Sequence, residues 1–250
     1  MSKKKAVKFD MELLKQDNLA RMEGIPKKKF SIHDINHIKP ITYTQKEVFE
    51  AFFSHQNLFL YGSSGTGKTF LSLYLAFNEI LHETTPQNKV IICRSTVPVR
   101  DVGFLPGSLE EKIDVYEQPY KEACDKLFKF SRSYENLKRS GYCEFIPTSF
   151  IRGITLDNAV VVVDEFQNFT FEEANSIITR CGNNTKIIFS GDANQVDLHK
   201  KYEASGLKNF KEILEKMASF SLFKFNSNDI VRSPLVKEYI TVREDLGIEV

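Results

Sequence analysis

The eight residues Gly62-Ser63-Ser64-Gly65-Thr66-Gly67-Lys68-Thr69 fit the pattern G-x-x-x-x-G-K-[ST] at every position. No other feature constrains the chain as tightly, because the pattern has a mechanism only between a strand and a helix. Both neighbours are legible. Leu58-Phe59-Leu60-Tyr61 is a short apolar strand, and Thr69 to Leu81 is strongly helical, with Leu71, Leu75 and Phe77 available for packing. Glycines let the backbone curl so that its N–H groups point inward at phosphate oxygens, and the positive end of the following helix attracts anions. In that setting Gly62, Ser63, Ser64, Gly65, Thr66 and Gly67 form a cradle. Lys68 is expected to reach the β and γ phosphates of a nucleoside triphosphate, and the Thr69 hydroxyl to ligate Mg2+.

A second anchor lies downstream. Val160-Val161-Val162-Val163 is apolar throughout, as a strand covered on both faces should be, and it ends in Asp164-Glu165. Asp164 stands where an aspartate would hold Mg2+, directly or through water, and Glu165 where a carboxylate could polarise a water for attack on the γ-phosphate. The strand Lys186 to Ser190 leads into Gly191-Asp192-Ala193-Asn194-Gln195. A polar cluster at the end of a buried strand points into the crevice where open α/β sheets bind ligands, which makes Gln195 a candidate γ-phosphate sensor.

The remaining elements alternate in the same way. Tyr43 to Phe53 is a helix that Thr44 and Glu47 should cap, and Val90 to Cys93 is a buried strand. Leu109 to Phe130 reads as one helix, Cys143 to Ile146 as a strand, and a helix capped by Thr170 and Glu173 runs to Arg180. Ser205 to Ala218 is a helix, Ser221 to Phe225 a strand, and Pro234 opens a final helix at a position proline tolerates. Alternating strands and helices imply an α/β fold with a mainly parallel sheet and helices on both faces.

Composition narrows the class further. Of 250 residues, 42% are hydrophobic and 27% charged, the proportions of a globular chain rather than a disordered one. The longest aliphatic run, Ala159 to Val163, is far short of the roughly 20 residues of a membrane span. No signal-peptide pattern opens the sequence, and Cys93, Cys124, Cys143 and Cys181 are scattered without a C-x-x-C pair. A cytoplasmic protein with reduced thiols is expected. The net charge is +1, but residues 1–40 hold ten Lys or Arg against five Asp or Glu. They are expected to form a basic, partly flexible arm preceding a domain over 41–250.

The sequence resembles the PhoH family, the phosphate-starvation-inducible ATPases. Beyond the phosphate loop, the resemblance rests on Gly103-Phe104-Leu105-Pro106-Gly107, Glu111-Lys112, Pro119-Tyr120, Arg152-Gly153, Asp164-Glu165-Phe166-Gln167-Asn168 and Thr179-Arg180-Cys181-Gly182. It continues through Gly191-Asp192, Gln195, Asp197-Leu198, Ser205-Gly206-Leu207 and Asp229-Ile230-Val231-Arg232. Two positions depart from the family pattern: Ser95 follows Arg94 where proline is usual, and Ile154 stands where a second arginine is usual. The resemblance implies a P-loop NTPase with a single RecA-like core, strand order 5-1-4-3-2, like the first motor domain of superfamily-one helicases. It also implies ATP as substrate, Mg2+ as cofactor, and RNA or single-stranded nucleic acid as partner. Gln45 resembles the helicase glutamine that contacts adenine.

Such helicases place the nucleotide between two motor domains, the second supplying an arginine to the γ-phosphate, and this chain has no room for a second one. A homo-oligomeric ring, hexameric by preference, is therefore expected, with Arg232 or Arg180 completing a neighbour's site in trans. Arg94, Arg100, Arg152 and Lys112 are candidate nucleic-acid contacts, with Phe104 and Tyr120 as stacking residues. Three functions fit the motifs: a helicase-like motor on RNA or single-stranded DNA, a nucleotide-gated oligomeric regulator, and a metabolite kinase. Glu165 and Gln195 speak against the kinase.

Overall fold

A computed structural model describes residues 29–95, 109–192 and 203–248. Its centre is a sheet of six strands: β1 (Asn57–Gly62), β2 (Lys89–Arg94), β3 (Cys143–Pro147), β4 (Ala159–Asp164), β5 (Lys186–Gly191) and β6 (Phe220–Phe225). The order across the sheet is β3-β2-β4-β5-β1-β6, and every pairing is parallel. Leaving out β3, the remaining strands have the expected order 5-1-4-3-2, so Cys143–Pro147 is an added edge strand beyond β2.

The helices are α1 (Tyr43–Phe53), α2 (Lys68–Leu81), α3 (Leu109–Leu127), α4 (Ser133–Arg139), α5 (Phe171–Ile178), α6 (Glu203–Glu215) and α7 (Pro234–Asp245). Successive strand residues point to opposite faces, and the core divides accordingly. Leu58, Leu60, Val90, Ile92, Val160, Val162 and Ile188 face one layer, with α1, α2, α3 and α4. Phe59, Ile91, Val161, Val163, Ile187 and Phe189 face the other, with α5 and α6. Both faces are covered, which is why β4 needs no polar residue before its last.

Two expectations change. Thr42, not Thr44, caps α1 by accepting the Gln45 N–H at 3.2 Å, and the Thr44 hydroxyl donates instead to Asp229. The helix expected over 109–130 ends at Leu127 and a separate α4 follows. Packing against the core also begins before residue 41: Phe30 and Ile35 are buried, Phe30 stacking on Phe130 with centroids 5.3 Å apart. The capping box of α5 forms as read, with the Thr170 hydroxyl accepting from Glu173 N–H and the Glu173 carboxylate from Thr170 N–H.

Because all strands run the same way, their C-terminal ends share one edge. Arg94 pairs with Asp164 and Tyr61 with Gly191, so the residues ending β2, β4, β5 and β1 form one row. The single strand β5 separates the phosphate-loop strand from the Asp164 strand.

Candidate active site

The phosphate loop takes the backbone that its glycines allow. Gly62, Gly65 and Gly67 have φ of 115°, 74° and 80°. A Cβ on Gly62 would lie 2.0 Å from the Phe225 carbonyl oxygen, so β6 passes too close for any side chain. The Ser63 N–H donates to that same carbonyl at 3.1 Å, and Thr66 Oγ1 donates to Ser63 O at 3.0 Å. Gly67, left-handed, is the N-cap of α2, whose first residues are Lys68 and Thr69. The Lys68 ammonium is buried and donates to the carbonyls of Gly62 at 2.8 Å and Ser63 at 2.7 Å. Burial lowers its proton affinity, countered by Asp192, Glu165, Asp164 and Glu244. Among the described residues no carboxylate lies within hydrogen-bond range of it. The loop therefore holds a cation that an incoming polyphosphate can neutralise.

Across β5 stands Asp164, 2% exposed. Three hydroxyls hold it: Thr69 at 2.8 Å and Ser190 at 2.6 Å on Oδ1, and Tyr120 at 3.0 Å on Oδ2. One carboxylate beside one threonine hydroxyl suits Mg2+, which usually binds one or two carboxylates and otherwise keeps water and substrate phosphates. The Thr69–Asp164 contact brings the two expected metal ligands together, and they fit the ion. Among the described residues no cluster of three or more His, Cys, Asp or Glu offers a fuller cage.

Glu165 sits at φ 55°, ψ 46°, a left-handed conformation unusual for glutamate and of the kind that gathers at functional sites. Burial raises its pKa, with Asp164 adding to the effect. Its Oε2 accepts from Gln167 Nε2 at 2.6 Å, while Gln167 Oε1 accepts the Asp192 N–H at 2.9 Å. Gln167 thus spans from Glu165 to the end of β5. It fits only because residue 191 is glycine: a Cβ there would lie 2.7 Å from Gln167 Oε1. The sequence held this signal in the 164–168 block, but its geometry required the fold.

The other expected residues are distributed as follows. Gln45 is buried at the start of α1, its Oε1 accepting the Ile41 N–H at 3.0 Å. Thr44, next to it, is tied through Asp229 to the segment that reaches the phosphate loop, where Val231 N–H donates to Gly65 O at 3.1 Å. Arg232 stands against its own chain's loop, its Cγ 3.1 Å from a Cβ on Gly65. Arg180 lies at the opposite sheet edge: its carbonyl accepts the N–H of Leu156, which precedes β4, whereas Asp164 ends β4. A strand length of roughly 20 Å separates the two. Arg152 is exposed beyond β3, at the phosphate-loop edge.

Two readings are corrected. Tyr120 is fully buried and bonded to Asp164, so it cannot stack on a base. Arg94 is half-buried, its guanidinium 5.7 Å from the centre of the Tyr116 ring and drawn toward Tyr120, Glu165 and Asp164 rather than left free in solvent. Gln195, Arg100, Phe104 and the 103–107 turn lie outside the described residues. Tyr120, Ser190, Arg94 and Gln167 are the site residues that the sequence did not reveal as such.

A phosphate loop between β1 and α2, faced across one strand by a strand-ending aspartate, defines a P-loop NTPase fold with a single RecA-like core. Residues 37–244 match the family model described as PhoH-like protein. The chain belongs to that family. It is 34% identical over 210 residues to the PhoH-like protein of Synechocystis sp. (strain ATCC 27184 / PCC 6803 / Kazusa), covering 83% of this chain and 62% of that one. To the PhoH-like protein of Bacillus subtilis (strain 168) it is 35% identical over 204 residues, 81% of this chain and 63% of the relative. The chain thus spans about three-fifths of the length of these curated relatives. Among solved structures, the large terminase of a thermophilic bacteriophage in complex with ADP is similar at 16% identity and a TM-score of 0.46, over 80% of this chain and 49% of that one.

Proposed function

We propose that this chain binds and hydrolyses ATP with Mg2+, and that it does so within an oligomeric, helicase-like motor acting on RNA or single-stranded nucleic acid. The observation that carries the reading is the convergence of Lys68, Thr69, Asp164 and Glu165 on one edge of the sheet, with Thr69 already hydrogen-bonded to Asp164. Mg2+, held by Thr69 and Asp164, would neutralise charge on the β and γ phosphates. Lys68 would exchange the carbonyls of Gly62 and Ser63 for phosphate oxygens, leaving its charge in place while the negative charge redistributes. Glu165, held by Gln167 and carrying a raised pKa, takes a proton from the attacking water. Gln45 reads the adenine edge and Gln195 senses the γ-phosphate. Arg232, beside Gly65, serves the chain's own phosphates. Arg180 is too far away for that and would complete a neighbour's site in a head-to-tail ring, hexameric by preference.

An apolar stripe on α7 supports the ring. Leu235, Tyr239 and Val242 of α7 and Leu246 at its C-cap, spaced by four, three and four, are each at least half exposed, while Ile240 packs toward Gly65. The same helix favours one alternative, a nucleotide-gated oligomeric regulator that moves nothing, since a change at the loop would reach an exposed apolar surface directly. Exposed Arg152 and the basic residues 1–40 support a nucleic-acid partner. Steady-state ATPase assays with and without single-stranded RNA, on wild type and K68A, separate these readings. Hydrolysis abolished by K68A and accelerated by RNA supports the motor. Hydrolysis indifferent to any nucleic acid supports the regulator, and none in wild type refutes both.

A further inference from the structure

Two tyrosines in the same core layer differ in what their hydroxyls do. Tyr120 and Tyr134 are both 0% exposed, in the layer between the sheet and helices α3 and α4. Tyr134's hydroxyl is buried with no hydrogen-bond partner. Tyr120's donates to Asp164 Oδ2 at 3.0 Å, with the positive Arg94 guanidinium close by. A phenylalanine at 120 would fill the core as well, since the ring packs near Phe145 (centroids 5.9 Å apart) and on the buried α3 stripe with Cys124 and Leu127. The hydroxyl is therefore the part that the core does not need.

Its position gives it another use. Thr69 and Ser190 both donate to Asp164 Oδ1, leaving Oδ2 to be fixed from elsewhere. Tyr120, carried by α3 in the same core layer as Val90 and Ile92 of β2, supplies that donor. We infer that Tyr120 is a positioning residue for the metal site: through its hydroxyl it locks the Asp164 carboxylate in the plane that presents it with Thr69 to Mg2+. A carboxylate held at both oxygens before the ion arrives has no rotational freedom left to lose, so the metal binds more tightly. This inference rests on the nucleotide-site reading above and adds to it a residue that touches neither substrate nor metal.

The test is calorimetric titration of Mg2+ into the chain saturated with ATPγS, and of ATPγS in EDTA, for wild type, Y120F and Y134F. Removing a partner of this kind weakens metal binding by roughly tenfold to a hundredfold. Y120F is expected to show that loss with metal-free ATPγS affinity unchanged, and Y134F to match wild type in both titrations. Mg2+ affinity unchanged in Y120F overturns the inference, and so does an equal loss in Y134F, which would show only that the layer tolerates no change. A wild-type chain that takes up no ATPγS removes the site itself and the inference with it, an outcome distinct from either of these.

Discussion

Glu165 combines a strained backbone, a raised pKa and a side chain held by Gln167. If it is the base, its carboxylate form is needed, and that form is lost as pH falls through the raised value. The kcat/KM for ATP should therefore drop on the acid side at a pH above the ordinary glutamate range. E165Q should lower kcat by about 10²- to 10⁴-fold and abolish that acid limb. A pH–rate profile of both proteins checks this. The stability linkage has the opposite sign: a carboxyl with a raised folded pKa contributes stability below its unfolded value, and this is lost as pH rises. At this residue the form that hydrolysis needs is the form that folding disfavours. Lys68, Thr69, Asp164 and Glu165 were legible from the sequence because motif and strand end name them directly. Tyr120 was not: a buried tyrosine on an apolar helix stripe reads the same whether its hydroxyl has a partner or, like that of Tyr134, has none.

At the scale of elements, α2 is buried nearly all round and carries Glu79 into the core, where it meets Lys186 of β5 at 2.7 Å. The ammonium also donates to the Phe52 carbonyl at 3.3 Å and lies 4.4 Å from that ring's centre, so one lysine ties α1, α2 and β5 together. Removing one partner leaves a charge without its counterion in the interior. E79A should cost about 3–5 kcal/mol, whereas replacing both with apolar residues (E79L with K186M) should cost much less. Denaturant unfolding of the two variants measures the difference. The strands and helices bordering the site were legible because both signals are local: an apolar run, then a glycine or an acid. What escaped were long-range choices. Thr44 looks like a cap, yet its hydroxyl is claimed by Asp229, 185 positions away, and Thr42 takes the role. Ser133–Arg139 is too short to carry a periodic pattern and is held by burying Tyr134 and Leu137.

For the whole molecule, the row of strand ends accounts for why residues so far apart in sequence meet, and why Arg180, at the other edge, cannot join them within one chain. A ring with Arg180 in trans makes a specific prediction. K68A and R180A chains, each inactive alone, should complement when mixed, because an intact loop in one can face an intact arginine in the next. Random mixing in equal amounts should restore about a quarter of wild-type activity. No recovery in mixed rings would leave Arg180 without that role.

The central claim is that a nucleoside triphosphate is held between the 62–69 loop and Asp164. Calorimetric titration with ATPγS and Mg2+ tests it most directly. One molecule should bind per chain, and K68A, losing a charged hydrogen-bond donor to phosphate, should bind about tenfold to a hundredfold more weakly. Equal binding by wild type and K68A, or no heat from either, would contradict it.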